Sequence, residues 1–148
     1  NAREAHGSDV RDRASQTQTG KWPITDHGAN CPMALDPGRR QVLVIFRAPA
    51  ELGVLSMTGG KLITAADTCG DADDLFIDGK RGRVYVSCGA GFVDVLEAKG
   101  MTYRRAARIP TASGARTSLF VPEIDRPLVG VRAGPAELAC LRVVRTRP

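Results

Sequence analysis

Histidine and aromatic residues are scarce in this chain, and each shortage argues against a class of function. His6 and His27 are the two histidines among 148 residues. Neither stands near a nucleophile motif such as G-x-S-x-G, so a Ser-His-Asp or Cys-His catalytic unit has little to be built from. Both are expected to be surface or loop residues. The aromatic side chains number one Trp, two Tyr and four Phe, too few and too scattered among the arginines to make a base-stacking platform. No apolar run approaches the roughly 20 residues that a membrane-spanning helix needs. Cysteine is limited to Cys31, Cys69, Cys88 and Cys140. With no C-x-x-C pair and no His at ligand spacing, the four argue against a zinc site.

The charge that is present is mostly arginine. Lysine and arginine together number 21 against 16 acidic residues, a net charge of +5, and the arginines are spread through turns and strand ends. A dispersed excess of this kind is a solvated surface before it is a nucleic-acid footprint. Apolar residues at 43% and charged residues at 25% are ordinary for a globular domain, and the length suits one domain. The first residue is Asn1 and no basic-then-apolar leader follows it. The expectation is therefore a chain that has lost a signal peptide or is a piece of a longer one.

An internal repeat decides the fold class. Gly28, Gly70 and Gly114, spaced by 42 and 44 residues, each open a polar stretch that leads five residues later to an apolar triplet. The triplets are Met33-Ala34-Leu35, Leu75-Phe76-Ile77 and Leu119-Phe120-Val121. A charged turn follows each, and then a second apolar run: Val42 to Ile45, Val84 to Val86, and Leu128 to Val131. Third segments lie at Gly53 to Leu55, Phe92 to Leu96 and Leu138 to Leu141. Fourth segments, Lys61 to Thr68 and Tyr103 to Pro110, occur in the first two units alone. Four short strands per roughly 42 residues, separated by Gly, Asp and Pro turns, are the pattern of a β-propeller blade, a four-stranded antiparallel sheet. Nothing sustains apolar residues at helical spacing over three turns.

The expected organisation is all-β. Residues 1–7 are disordered or a remnant of an upstream blade, 8–27 form the last two strands of a preceding blade, 28–69 and 70–113 are complete blades, and 114–148 is a partial blade of three strands. That makes about three blades' worth, an incomplete ring where closed propellers use about four to eight blades. Lys21-Trp22-Pro23 resembles Arg108-Ile109-Pro110, and the strand of Trp22 is a candidate to supply the missing fourth strand of the C-terminal unit. Exposed edges invite pairing. Either the chain is a fragment of a longer propeller, the favoured reading, or two copies form a homodimer that completes a six-blade ring.

The stretches Asp74 to Asp78, Val84-Tyr85-Val86-Ser87-Cys88-Gly89 and Phe92 to Leu96 resemble a repeat of the YVTN β-propeller family, as does Ala107 to Glu123. The literal motif becomes Tyr85-Val86-Ser87-Cys88, the other two units lack the Tyr, and no Trp-Asp dipeptide supports a WD40 repeat. The resemblance implies a bacterial protein that is periplasmic or secreted, and a scaffold rather than a defined chemistry.

In a propeller the loop that leads into the first strand of a blade opens onto the central channel. That places Asn30-Cys31-Pro32, Ala72-Asp73-Asp74 and Arg116-Thr117-Ser118 in register around one mouth, with Asn30, Asp73, Asp74, Arg116, Thr117 and Ser118 as candidate ligand-binding residues. Asp73 and Asp74, with Asp71 before them and Asn30 from the next blade, have the oxygen chemistry for a divalent cation. Asp at a loop-strand junction more often caps backbone amides, and Arg116 is placed either to pair with these carboxylates or to bind an anion. Cys69 and Cys88 share a blade, and their spacing leaves open whether they form a disulfide or remain thiols.

The reading carried forward is a non-catalytic binding or interaction scaffold for a small molecule or protein, with no catalytic residue, no metal and no cofactor assigned. The alternatives are a propeller enzyme or enzyme subunit, lactonase-like or quinoprotein-dehydrogenase-like as the resemblance implies, and nucleic-acid binding.

Overall fold

Alternation of apolar and polar residues between short turns gives strands with two usable faces, and thirteen of them are found among the described residues. The structure, a computed structural model, describes residues 7–28, 32–135 and 138–145. The strands are β1 (Gly7–Arg11), β2 (Gln18–Pro23), β3 (Met33–Asp36), β4 (Gln41–Arg47), β5 (Ala50–Ser56), β6 (Leu62–Asp67), β7 (Ala72–Asp78), β8 (Arg83–Cys88), β9 (Phe92–Lys99), β10 (Thr102–Pro110), β11 (Thr117–Val121), β12 (Arg126–Val131) and β13 (Cys140–Val143). They pair with their sequence neighbours into four antiparallel sheets, β1-β2, β3-β4-β5-β6, β7-β8-β9-β10 and β11-β12-β13. No helix occurs among the described residues.

The sheets stack face to face in chain order. Leu43, Ile45, Leu52 and Val54 of the second sheet meet Leu75, Val84, Val86 and Leu96 of the third. Tyr85, Val93 and Val95 on the other face of the third sheet meet Phe120, Val129 and Val131 of the fourth. First strands touch first strands, β3 with β7 and β7 with β11, and the fourth strands β6 and β10 also touch. The second and third sheets thus bury residues on both faces, which is why the central strands β4 and β8 read as continuous apolar runs rather than alternating ones.

The hairpin between the first two strands of the second, third and fourth sheets is the most regular part of the repeat. It has four turn residues each time, between Asp36 and Gln41, Asp78 and Arg83, and Val121 and Arg126. The fourth turn residue is left-handed in all three: Arg40 at φ 55°, Gly82 at 63° and Asp125 at 59°. Aligning on this turn shifts the third unit by one residue from the phase its apolar triplet suggests. Phe120, not Leu119, faces the preceding sheet, and Val121 takes the place held by Asp36 and Asp78. In those two units the aspartate accepts from the turn amide three residues on and from its arginine: Asp36 from Arg39, Asp78 from Arg81. The strand expected from Leu138 begins at Cys140, because pairing of Val131 with Cys140 sets the register.

The strand of Trp22 does not complete the C-terminal unit. β2 pairs with β1, and the indole lies on the β3–β6 sheet, beside Val42, Val44, Phe46 and Leu55. A Cβ at Gly60 would fall 2.0 Å from the indole Cγ, so that turn is glycine because the ring lies across its backbone.

Cys69 and Cys88 form a disulfide, a choice their spacing left open. It ties the segment entering β7 to the end of β8, across a sequence separation of 19. Reducing it, or replacing both cysteines with alanine, is expected to cost about 2–4 kcal/mol by release of the unfolded chain. Urea unfolding with and without reductant measures this, and an unchanged midpoint would show that the covalent tie constrains nothing.

Candidate functional site

The segment 68–74 and the start of β11 carry the polar residues expected at the channel mouth, and they form one network across three sheets. Asp71 is left-handed, at φ 57°, a conformation aspartate tolerates better than most residues. Its carbonyl accepts from the Gly89 amide at 2.8 Å. Its carboxylate lies over Gly89, where a Cβ would come within 2.1 Å of Oδ2. The disulfide beneath holds this loop on the β8 end.

Two arginines converge on the loop from the neighbouring sheets. Arg47, the last residue of β4, donates from Nε and Nη2 to the Ala72 carbonyl at 3.0 and 2.9 Å, pairs with Asp73, and stands 3.7 Å from Asp71. Arg116 donates to Asp71 at 2.5 Å and pairs with Asp73 at 2.8 Å through Nε. The guanidinium of Arg116 is held more firmly protonated by Asp71 first and Asp73 second. Asp73 thus bridges two cations. Asp74 accepts from the backbone amide of Ser118 at 2.6 Å, and the Ser118 hydroxyl meets that of Ser87 at 2.6 Å.

Of the residues singled out in the sequence, Asp73, Asp74, Arg116 and Ser118 are brought together. Thr117 is exposed at the start of β11, paired with Gly130. Asn30 and Cys31 lie outside the described residues, as does His6. Arg47 was not anticipated. A basic residue ending the second strand is the one signal that marks it. Among the described residues no group of three or more His, Cys, Asp or Glu is placed to hold a metal ion. His27 lies away from the mouth in the loop after β2, half-buried, with its ring nitrogens 3.0 Å from the Thr25 carbonyl and 2.9 Å from Glu51.

The opposite ends of the first strands carry a second ladder. Arg81 bonds Asp78 of its own turn and reaches the next sheet with two bonds of 2.5 Å to Asp125. This holds the Asp125 carboxyl down to about 2. Burial, with Asp78 beside it, pushes the Tyr85 phenol up to about 12, and its hydroxyl donates to Asp78 at 3.1 Å.

Arg47 is the more buried of the two mouth arginines, 17% exposed against 39% for Arg116. Arg47→Met is expected to cost about 1–3 kcal/mol, since it strips a carbonyl and a carboxylate of donors. Arg116→Met is expected to cost less than Arg47→Met and to lose its effect in concentrated salt. Urea midpoints order the two, and a larger loss at Arg116 would contradict the burial argument. Asp125 gives a pH-dependent prediction. Its folded pKa is depressed, so its pairing contributes in full above about pH 4 and is lost as pH falls through about 2. Asp125→Asn is expected to flatten the fall in urea midpoint over that window.

No protein-family model matches the sequence, and the search of curated proteins gives no match. Solved structures do match. Kuenenia stuttgartiensis hydrazine synthase superposes with a TM-score of 0.81 at 16% identity, over 96% of this chain and 40% of that one. A chain of the mitotic checkpoint complex gives 0.75 at 12% identity, over 95% and 44%. The Dos1 propeller gives 0.63 at 13% identity, over 82% and 33%. The chain therefore spans about two fifths of the length of the first two and about a third of the other. At these identities the likeness concerns architecture: the stacked sheets are β-propeller blades, and the chain is a run of about three blades' worth.

Proposed function

We propose that the chain is a non-catalytic binding scaffold forming part of a longer β-propeller of the YVTN type, exported to a compartment where thiols oxidise. The observation that carries this reading is the engagement of the mouth carboxylates. Asp71 and Asp73 are paired with Arg47 and Arg116, and Asp74 accepts from a backbone amide. Groups that would have to ligate a metal or abstract a proton instead hold three sheets in register. A ligand at this mouth meets a neutralised, rigid rim with Thr117 exposed on it.

Further support is indirect and consistent. The Cys69–Cys88 disulfide suits an oxidising compartment, which favours periplasmic or secreted placement. Met33 and Leu35 at one end of the stack, and Leu119 and Leu141 at the other, are more than half exposed, as expected of blade faces that further blades would cover. One structural neighbour is a member of a protein complex, a use of the fold in keeping with an interaction scaffold. Likeness to hydrazine synthase at 16% identity carries the architecture and no activity.

The test is hydrolysis of simple lactones with and without added calcium or zinc. The rate is expected to stay at that of buffer, and Asp73→Asn with Asp74→Asn to leave the effect of calcium on melting unchanged. Turnover that disappears in Asp73→Asn would overturn the scaffold reading in favour of an enzyme.

A further inference from the structure

Charge is scattered along this sequence but sorted by the fold. Strands alternate in direction within each sheet, and first strands touch first strands. The turns that follow β3, β5, β7 and β9 therefore lie together at the end opposite the mouth. They hold residues 37–40, 57–61, 79–82 and 100–101, and none of these residues is acidic. The mouth end of the same two sheets carries Glu51, Asp67, Asp71, Asp73 and Asp74 against Arg47.

Part of the positive charge at the turn rim is committed within the fold. Arg39 and Arg81 pair with Asp36 and Asp78, two buried carboxylates at the strand ends. Arg40, Lys61 and Lys99 are exposed and have no acidic partner among the described residues. Lys80 stands 3.6 Å from Asp125 with its side chain 76% exposed, and Arg81 already holds that carboxylate through two bonds of 2.5 Å. Three of the chain's four lysines are thus on this rim. A lysine ammonium on a flexible stem suits a diffuse negative surface better than a fixed bidentate contact.

Two methionines stand among these cations. Met57 and Met101 lie in the turns that join third and fourth strands, 37% and 56% exposed. Met57 keeps its exposure although sheets pack on both sides of its own, so the exposure belongs to a turn tip and not to an uncovered blade face. Its amide donates to the Arg40 carbonyl at 3.0 Å, which fixes the outer turn beside the inner one. A bilayer with anionic headgroups fits this arrangement best. Single apolar side chains on separate tips can each enter a deformable interface, whereas a folded partner has to meet them with one contiguous apolar patch. Nucleic acid offers the charge but nothing for the methionines, and these turns contain no aromatic residue to stack on a base. Basic residues combined with exposed apolar ones on one face attach a protein to a membrane surface without crossing it.

We propose that the turn rim of the second and third sheets docks on an anionic lipid surface, held by the charges of Arg40, Lys61, Lys80 and Lys99 and by shallow insertion of Met57 and Met101. The mouth, at the other end of the strands, then faces away from the membrane. The proposal goes beyond the scaffold reading and does not rest on it, since lipid attachment at one rim and turnover at the other are read in separate assays.

Co-sedimentation of the intact chain with phosphatidylcholine vesicles, with and without phosphatidylglycerol, tests it. Binding is expected to need phosphatidylglycerol, to weaken as salt rises, and to fall about fivefold for each of Lys61→Gln and Lys99→Gln. Lys21→Gln makes the same charge change on β2, away from the rim, and is expected to leave binding unaltered. Met57→Ser combined with Met101→Ser is expected to weaken binding at high and low salt alike, because the part removed is apolar. A melt checks that each variant is folded. Absence of binding to phosphatidylglycerol vesicles would overturn the proposal. So would equal losses in Lys21→Gln and Lys61→Gln, because net charge and not the rim would then decide. Full binding by the methionine variant would also overturn it, since the rim would then be a site for polyanions or acidic proteins at large.

Discussion

A four-stranded sheet of short strands has two apolar faces and cannot bury both by itself, and every other feature of this chain follows from that constraint. Leu43 and Ile45 point one way from β4 while Val42, Val44 and Phe46 point the other, so the sheet is stable only as a layer in a stack. The same need explains Asp94, wholly buried in β9 among apolar neighbours. It is tolerated because Arg108 on the adjacent strand meets both its oxygens at 2.7 and 2.8 Å, and a buried charge without such a partner would be strongly destabilising.

Stacking by apolar area alone leaves the relative rotation and height of the sheets loosely fixed, since hydrophobic contact has no direction. Direction comes from the two rims. At one, Arg47 and Arg116 clamp the loop that the disulfide secures; at the other, Arg81 links the turn of one sheet to Asp125 of the next. The mouth residues are thus parts of the frame, and their carboxylates are largely neutralised.

The strands were legible in the sequence because turn residues and β-branched runs recur at an almost constant spacing, and because the turns themselves demand particular residues. The phase of the third unit was not. Apolar triplets look alike whichever of their residues faces inward, and the four-residue turn with its left-handed last position at Arg40, Gly82 and Asp125 is recognisable only once the backbone is known. The pairing of Cys69 with Cys88 was hidden for a related reason, as spacing does not give distance. At the mouth, topology sufficed to bring Asp73, Asp74, Arg116 and Ser118 together. Arg47 is not marked by the same topology, because it ends a second strand rather than lying in a loop that leads into a first one.

The one-residue slip of the third unit changes how its turn is held. With Val121 in the position of Asp36 and Asp78, that turn has no aspartate of its own to hold its amides. Its left-handed residue is instead Asp125, whose carboxylate faces outward and takes the guanidinium of Arg81 from the preceding sheet. The third unit therefore exchanges a bond within its turn for a bond between sheets. The exchange comes at a sheet with three described strands rather than four. A sheet with fewer strands is held by directed charge as well as by packing.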